Sequence, residues 1–153
     1  MALALMNIVS SPKAYAARLY TPAQTFTATV MGGPAAGAWT LFWNFRAISR
    51  SQAAWVALIT GLAACVVVAI VALKYVGYFS LYHVHPVVFP LVYSGGALVL
   101  GHVLFAETVT AHIQLGGRKN SWWTVAGISI VGIVVAFAAV ALVHKISPAV
   151  DYL

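Results

Sequence analysis

The sequence predicts an all-α membrane protein: four transmembrane helices in an up-down-up-down bundle, preceded by a short N-terminal interfacial segment. Three observations predict it. Of 153 residues, 63% are hydrophobic and 7% charged, where a soluble domain carries about a quarter charged residues. Four apolar stretches each exceed the roughly 20 helical residues that cross a bilayer. The turns between them are short, as antiparallel neighbours in a bundle prefer. The expected helices cover about 22–46, 53–76, 87–114 and 121–145, within one domain at 21–153 that follows the segment 1–20.

The net charge of +6 comes from eight Lys and Arg against Glu107 and Asp151. These cations sit at the ends of apolar runs, so they read as topology signals and headgroup contacts and not as a nucleic-acid footprint. Cys65, the only cysteine, lies inside an apolar run and forms no intrachain disulfide. Residues 1–20 carry no Lys or Arg ahead of their short apolar part, unlike a secretory signal. They read as an amphipathic piece at the interface, with Lys13 and Arg18 toward headgroups. Thr21 and Pro22 supply an N-cap and an N1 proline for the first helix.

That first helix is the expected organiser of the fold. On a helix, Thr25, Thr29, Gly33 and Gly37 make one small-residue ridge, and Ala28, Gly32, Ala36 and Thr40 make a second beside it. Such ridges let backbones approach closely, which is how helices associate in lipid. Pro34 removes a backbone donor and crowds the carbonyl of Val30, predicting a kink or local unwinding. Two readings follow: a packing helix, or a Gly-Gly-Pro break that opens carbonyls to a ligand.

The second span, rich in Val, Ala, Ile and Leu, is apolar around its circumference and should face lipid. An aromatic connection, 77–86, leads to the third span, and Gly116-Gly117-Arg118-Lys119-Asn120 makes a charged turn before the fourth. Charge leaves orientation tied: Arg46, Arg50, Arg118 and Lys119 on one side, and Lys13, Arg18, Lys74 and Lys145 on the other. The two tight Arg loops are taken as cytoplasmic, which puts both termini outside.

The residues Tyr20-Thr21-Pro22-x-Gln24, Gly32-Gly33-Pro34-Ala35-Ala36-Gly37 and Asn44-Phe45-Arg46-Ala47 resemble the opening of a group of small uncharacterised bacterial multi-pass inner-membrane proteins. The resemblance covers residues 20–50. It implies a multi-pass protein of the bacterial inner membrane and carries no activity.

Glu107 is the residue most expected to matter. It lies about 10 Å before the end of the third span, where an ionisable group is costly unless paired, protonated or hydrated. Its expected partners are Arg46 and Asn44, in a buried ion pair; the alternative is a proton or cation site. Ser94, Ala97, Gly101, Thr108 and His112 share a small, polar face of the same helix, suited to packing on helix one. His102 and His112 lie five residues to either side of Glu107, each about 140° from it around the helix, so no metal site forms there. His83, His85 and His144 are a conceivable surface metal set, but no Cys, Asp or Glu completes it. No nucleophile elbow or phosphate loop occurs. The expected function is therefore a non-catalytic membrane subunit without cofactor, whose partners are lipids and other transmembrane helices in a homo- or hetero-oligomer. The alternative is an oligomeric ion or proton channel, or a small-solute transporter subunit, using Glu107 with Gln24, Thr25, Thr29 and the Pro34 break.

Overall fold

A computed structural model describes residues 17–81 and 88–146. In chain order it holds a short strand β1 (Arg18–Leu19), helix α1 (Pro22–Ala47), helix α2 (Ser51–Leu81), helix α3 (Val88–Gln114), a short strand β2 (Arg118–Lys119) and helix α4 (Trp122–Ile146). The connection 82–87, with His83 and His85, and most of the N-terminal segment lie outside the described residues. Two helical stretches, Ser51–Leu73 and Trp122–Ile146, are long and apolar enough to cross a membrane. Their apolar surface points outward: Ile59, Val67, Ile130, Val134 and Phe137 are all exposed. A soluble core helix would bury such residues.

The start of α1 follows local chemistry. Thr21 Oγ1 accepts from the Gln24 N–H at 3.2 Å, and Gln24 Oε1 accepts from the Thr21 N–H at 3.0 Å, closing a capping box ahead of Pro22.

The expectation of four spans fails at α1, which is a hairpin. Gly33 leaves the helix with φ 76° and ψ −175°, a conformation open essentially to glycine alone. Pro34 then restarts the helix, its fixed φ suiting a first-turn position. The contacts show how far the chain turns. The hydroxyls of Thr25 and Thr40 lie 3.1 Å apart, although fifteen residues of continuous helix would separate them by about 22 Å. A Cβ on Gly37 would run into Thr29, eight residues away in sequence. Asn44 Oδ1 accepts from the Tyr20 N–H and Asn44 Nδ2 donates to the Tyr20 carbonyl, both at 2.8 Å. These pairs centre on residues 32–33, so arms 22–32 and 34–47 run antiparallel and both ends of α1 lie together.

The hairpin is the hub, packing against α2, α3 and α4, while α2 also packs on α4. Phe105 and Val109 of α3 meet Leu41, Phe45 and Ile48 on the second arm and just past it. Val125 of α4 meets Ala28 and Ala36. Glycines allow the closest approaches. A Cβ on Gly132 would strike the Gly32 carbonyl, and one on Gly61 would strike Ala38 and lie 3.0 Å from the Pro34 carbonyl oxygen. Gly61 and Gly132 each follow their helix start by ten residues, about 15 Å. The hairpin tip therefore lies about 15 Å along α2 and α4 from their starts, about half the length that a membrane span needs.

The end opposite the tip gathers charge. β1 pairs in parallel with β2, Arg18 opposite Arg118 and Leu19 opposite Lys119. Asn120 locks this corner: its N–H donates to the Leu19 carbonyl, its Nδ2 to the Arg18 carbonyl, and its own carbonyl accepts from Gln24 Nε2. Arg18, assigned from sequence to the side opposite Arg118, stands beside it. Among the described residues one end then carries Arg18, Arg46, Arg50, Arg118 and Lys119. Lys74 and Lys145 lie about 35 Å up α2 and α4. With Lys13 outside the described residues, the four-against-four tie becomes five against two among those described, and residues 17–20 lie at the Arg-loop end.

Single cysteines at Ala17, Ser51 and Asn120, each in a Cys65→Ala background, are expected to react with an impermeant maleimide from one side of sealed vesicles. Opposite accessibility of Ala17 and Asn120 overturns the hairpin. Gly33→Ala should cost about 1–3 kcal/mol in detergent unfolding through backbone strain. Gly95→Ala, at a helical glycine with open space around it, should be neutral or stabilising.

Candidate functional site: an interfacial cleft and the outer face of α3

The interior of the hairpin is polar, and its groups satisfy one another. Thr29 Oγ1 donates to the Thr25 carbonyl and Thr40 Oγ1 to the Gly37 carbonyl, both at 2.7 Å. Thr25, Thr29, Thr40, Gln24 and Asn44 are all buried. Gln24, Thr25 and Thr29 thus spend their hydrogen bonds inside the fold and do not line a path with Glu107. The Gly32 carbonyl, at the end of the first arm where the break removes helical donors, is likewise covered, by Gly132. Such non-helical backbone is tolerated at membrane depth where protein buries it.

The six residues expected on the packing ridges divide by role. Gly32 and Ala36 face α4, where a Cβ on Gly32 would meet the Ser129 backbone at 2.6 Å. Thr25, Thr29 and Gly37 pack arm against arm. Gly33 is no ridge residue; it is the hinge, and a Cβ there would meet nothing within 4 Å. The expected Glu107–Arg46 pair does not form among the described residues. Glu107 is exposed on α3, the Arg46 guanidinium lies 5.9 Å from the centre of the Phe42 ring, and Asn44 is engaged by Tyr20. Of the histidines, His102 and His144 are exposed. His112 is buried with Nε2 unpartnered, packed on Gly117. Among the described residues no three His, Cys, Asp or Glu side chains gather.

One concave feature is not announced by the sequence. A hollow of about 660 Å³ opens beside the charged corner, walled by Arg18, Tyr20, Trp43, Arg46 and Asn120. A second, of about 380 Å³, lies deeper between arm 34–47, α2 and α4, walled by Ala35, Leu58, Leu62, Val131 and Val135. Trp39, Thr124 and Ile128 line both. The two hollows therefore form one cleft, cationic at its mouth and apolar below. An aromatic cluster frames it: the Trp39 and Trp43 rings lie 6.1 and 5.6 Å from that of Phe42, and Trp55 lies 5.3 Å from it. Burial pushes the Tyr20 phenol above its ordinary pKa, so it stays a neutral hydroxyl at the mouth.

Comparison with protein-family models, with curated proteins and with solved structures finds no match.

Asn44 is the test of how the site is held. Asn44→Ala leaves the Tyr20 N–H and carbonyl without their side-chain partner in a buried place, an expected loss of about 1–3 kcal/mol. Asn44→Asp should recover only the half that accepts from the N–H. Thermal unfolding in detergent, with Thr27→Ala at a half-buried local hydroxyl as control, measures both.

Proposed function

We propose that the chain is a non-catalytic, multi-pass protein of the bacterial inner membrane that works as a subunit, packing against other transmembrane helices through α3. In this reading α2, α3 and α4 cross the bilayer, and the α1 hairpin enters from the Arg-rich end without crossing. The five-to-two charge balance favours the Arg-rich end as cytoplasmic. α3 is 27 residues long, about 40 Å, ample for a span.

The observation that carries the reading is the outward placement of Glu107. It lies on the exposed surface of α3 in line with Val103 and Val99, four and eight residues before it, both exposed and apolar. A carboxyl group facing lipid about 10 Å inside a span costs several kcal/mol. Among the described residues no cation pairs with it, and Arg46 is turned onto Phe42. A neighbouring helix, from a second copy or another protein, relieves that cost by bringing a donor or a cation to the same depth. α3 also packs chiefly on the hairpin, which leaves its far side for a partner.

Protein extracted in mild detergent should have a mass above one chain by light scattering. Val103→Trp, on the α3 face, should reduce that mass to a monomer, while Ile130→Trp, on the exposed face of α4, should not. A monomeric wild type with nothing co-purifying, or equal behaviour of the two variants, overturns the reading. The alternative, a proton- or cation-conducting oligomer, is supported by the same carboxyl group. It requires flux in reconstituted vesicles that Glu107→Gln abolishes with the assembly intact.

A further inference from the structure

We propose that the cleft between arm 34–47 and α4 is a binding site for one anionic phospholipid, drawn from the leaflet on the Arg-rich side. Its phosphate lies at the mouth, and one acyl chain lies in the apolar hollow below. The inference rests on the membrane placement proposed above and not on the partner assigned to α3.

Charge complementarity is the first argument. Arg18 and Arg46 both line the mouth, with Asn120 and Tyr20 beside them, and among the described residues no acidic residue lines either hollow. β-pairing sets Arg18 next to Arg118, so like charges stand adjacent at this corner and a bound anion relieves their repulsion. Arg46 is held against the Phe42 ring, so part of the ordering cost of its long side chain is met before a ligand arrives. Guanidinium groups take phosphate oxygens in bidentate fashion, and basic pockets between membrane helices suit anionic headgroups.

Dimensions are the second argument. From Thr124 at the mouth to Val135 at the far end, the cleft follows eleven residues of α4, about 16 Å. That is close to half the thickness of the hydrocarbon, the depth of one leaflet. The walls are emptied by small residues. Ala35, Ala36, Gly127 and Gly132 line the deep hollow, and a Cβ on Gly127 would meet nothing within 4 Å. Small residues that serve packing close a gap; Gly127 leaves one open along a wall of Leu58, Leu62 and Val131. Trp39 and Trp43 stand where the polar and apolar parts meet, the level that indole rings favour in a bilayer.

The test is lipid titration of the full-length protein followed by native mass spectrometry, with phosphatidylglycerol, phosphatidylcholine and soluble glycerol phosphate as three separate ligands. Phosphatidylglycerol should bind at least about tenfold more tightly than phosphatidylcholine, the worth of one charge-assisted hydrogen bond. The double variant Arg18→Gln with Arg46→Gln should abolish that preference. Both side chains are exposed, so the fold should tolerate the change. Arg50→Gln, exposed at the same end but outside the cleft, should leave the preference intact. Gly127→Leu should weaken both lipids by filling the apolar hollow. Equal binding of the two lipids by the wild type overturns the proposal, as does a preference that survives the double variant. So does glycerol phosphate binding as tightly as the lipid, which would leave the apolar hollow without a role. The same spectra report the assembly state, so failure of the α3 partner reading is seen separately from failure of the lipid site.

Discussion

The structure depends on one reversal of the chain at Gly33. A stretch long enough to cross a bilayer turns back halfway, because Gly33 adopts a positive φ that no side chain tolerates well and Pro34 restarts the helix. A tight turn alone would not hold two polar arms together in an apolar setting. The threonine contacts between the arms and the two hydrogen bonds from Asn44 to Tyr20 close the hairpin along its length. Each of these groups would be costly if buried alone, so they stabilise the fold only as a set.

Much of the remaining architecture follows from that hub. Because the arms carry small residues on their outer sides, α2 and α4 approach until Gly61 and Gly132 touch the hairpin tip. The Gly132 contact covers the Gly32 carbonyl at the break, and burial by protein is the condition for irregular backbone inside a membrane. The reversal also returns the chain to its starting side. Both ends of α1 therefore meet through Tyr20 and Asn44, Asn120 bonds the residues at its start, and among the described residues five cations collect at one end of the molecule.

The charged corner and the apolar hollow are joined by the same geometry. Arm 34–47 presents Trp39, Trp43 and Arg46 along one side of the cleft, and α4 presents Thr124, Ile128 and Val131 along the other. Polar groups of the hairpin interior stay out of this cleft, since they are buried and hydrogen-bonded within an arm, between arms or to Asn120. The outward carboxyl of Glu107 lies on a different helix, α3, so an α3 partner and a lipid in the cleft occupy separate surfaces.

Composition and local pattern determined the helical class, the apolar surface of Ser51–Leu73 and Trp122–Ile146, and the N-cap Thr21 with its N1 proline Pro22. They also marked Gly32, Ala36 and Gly37 for close packing, because small side chains admit a neighbour wherever it stands. They did not determine how far the chain bends at Gly33. Propensity and proline chemistry describe a kink, but its size depends on whether distant residues hold the arms together. The pairings Thr25 with Thr40 and Tyr20 with Asn44 are separated by 15 and 24 residues and carry no periodic signal. For the same reason Arg18 was placed on the wrong side: its position depends on pairing with Arg118, a hundred residues away. The Glu107–Arg46 pair was inferred from depth, which sequence supplies, without direction around the helix. Only the tertiary structure turned Glu107 outward and Arg46 onto Phe42. The cleft, a space between three elements, is likewise a property of their arrangement and of no single stretch.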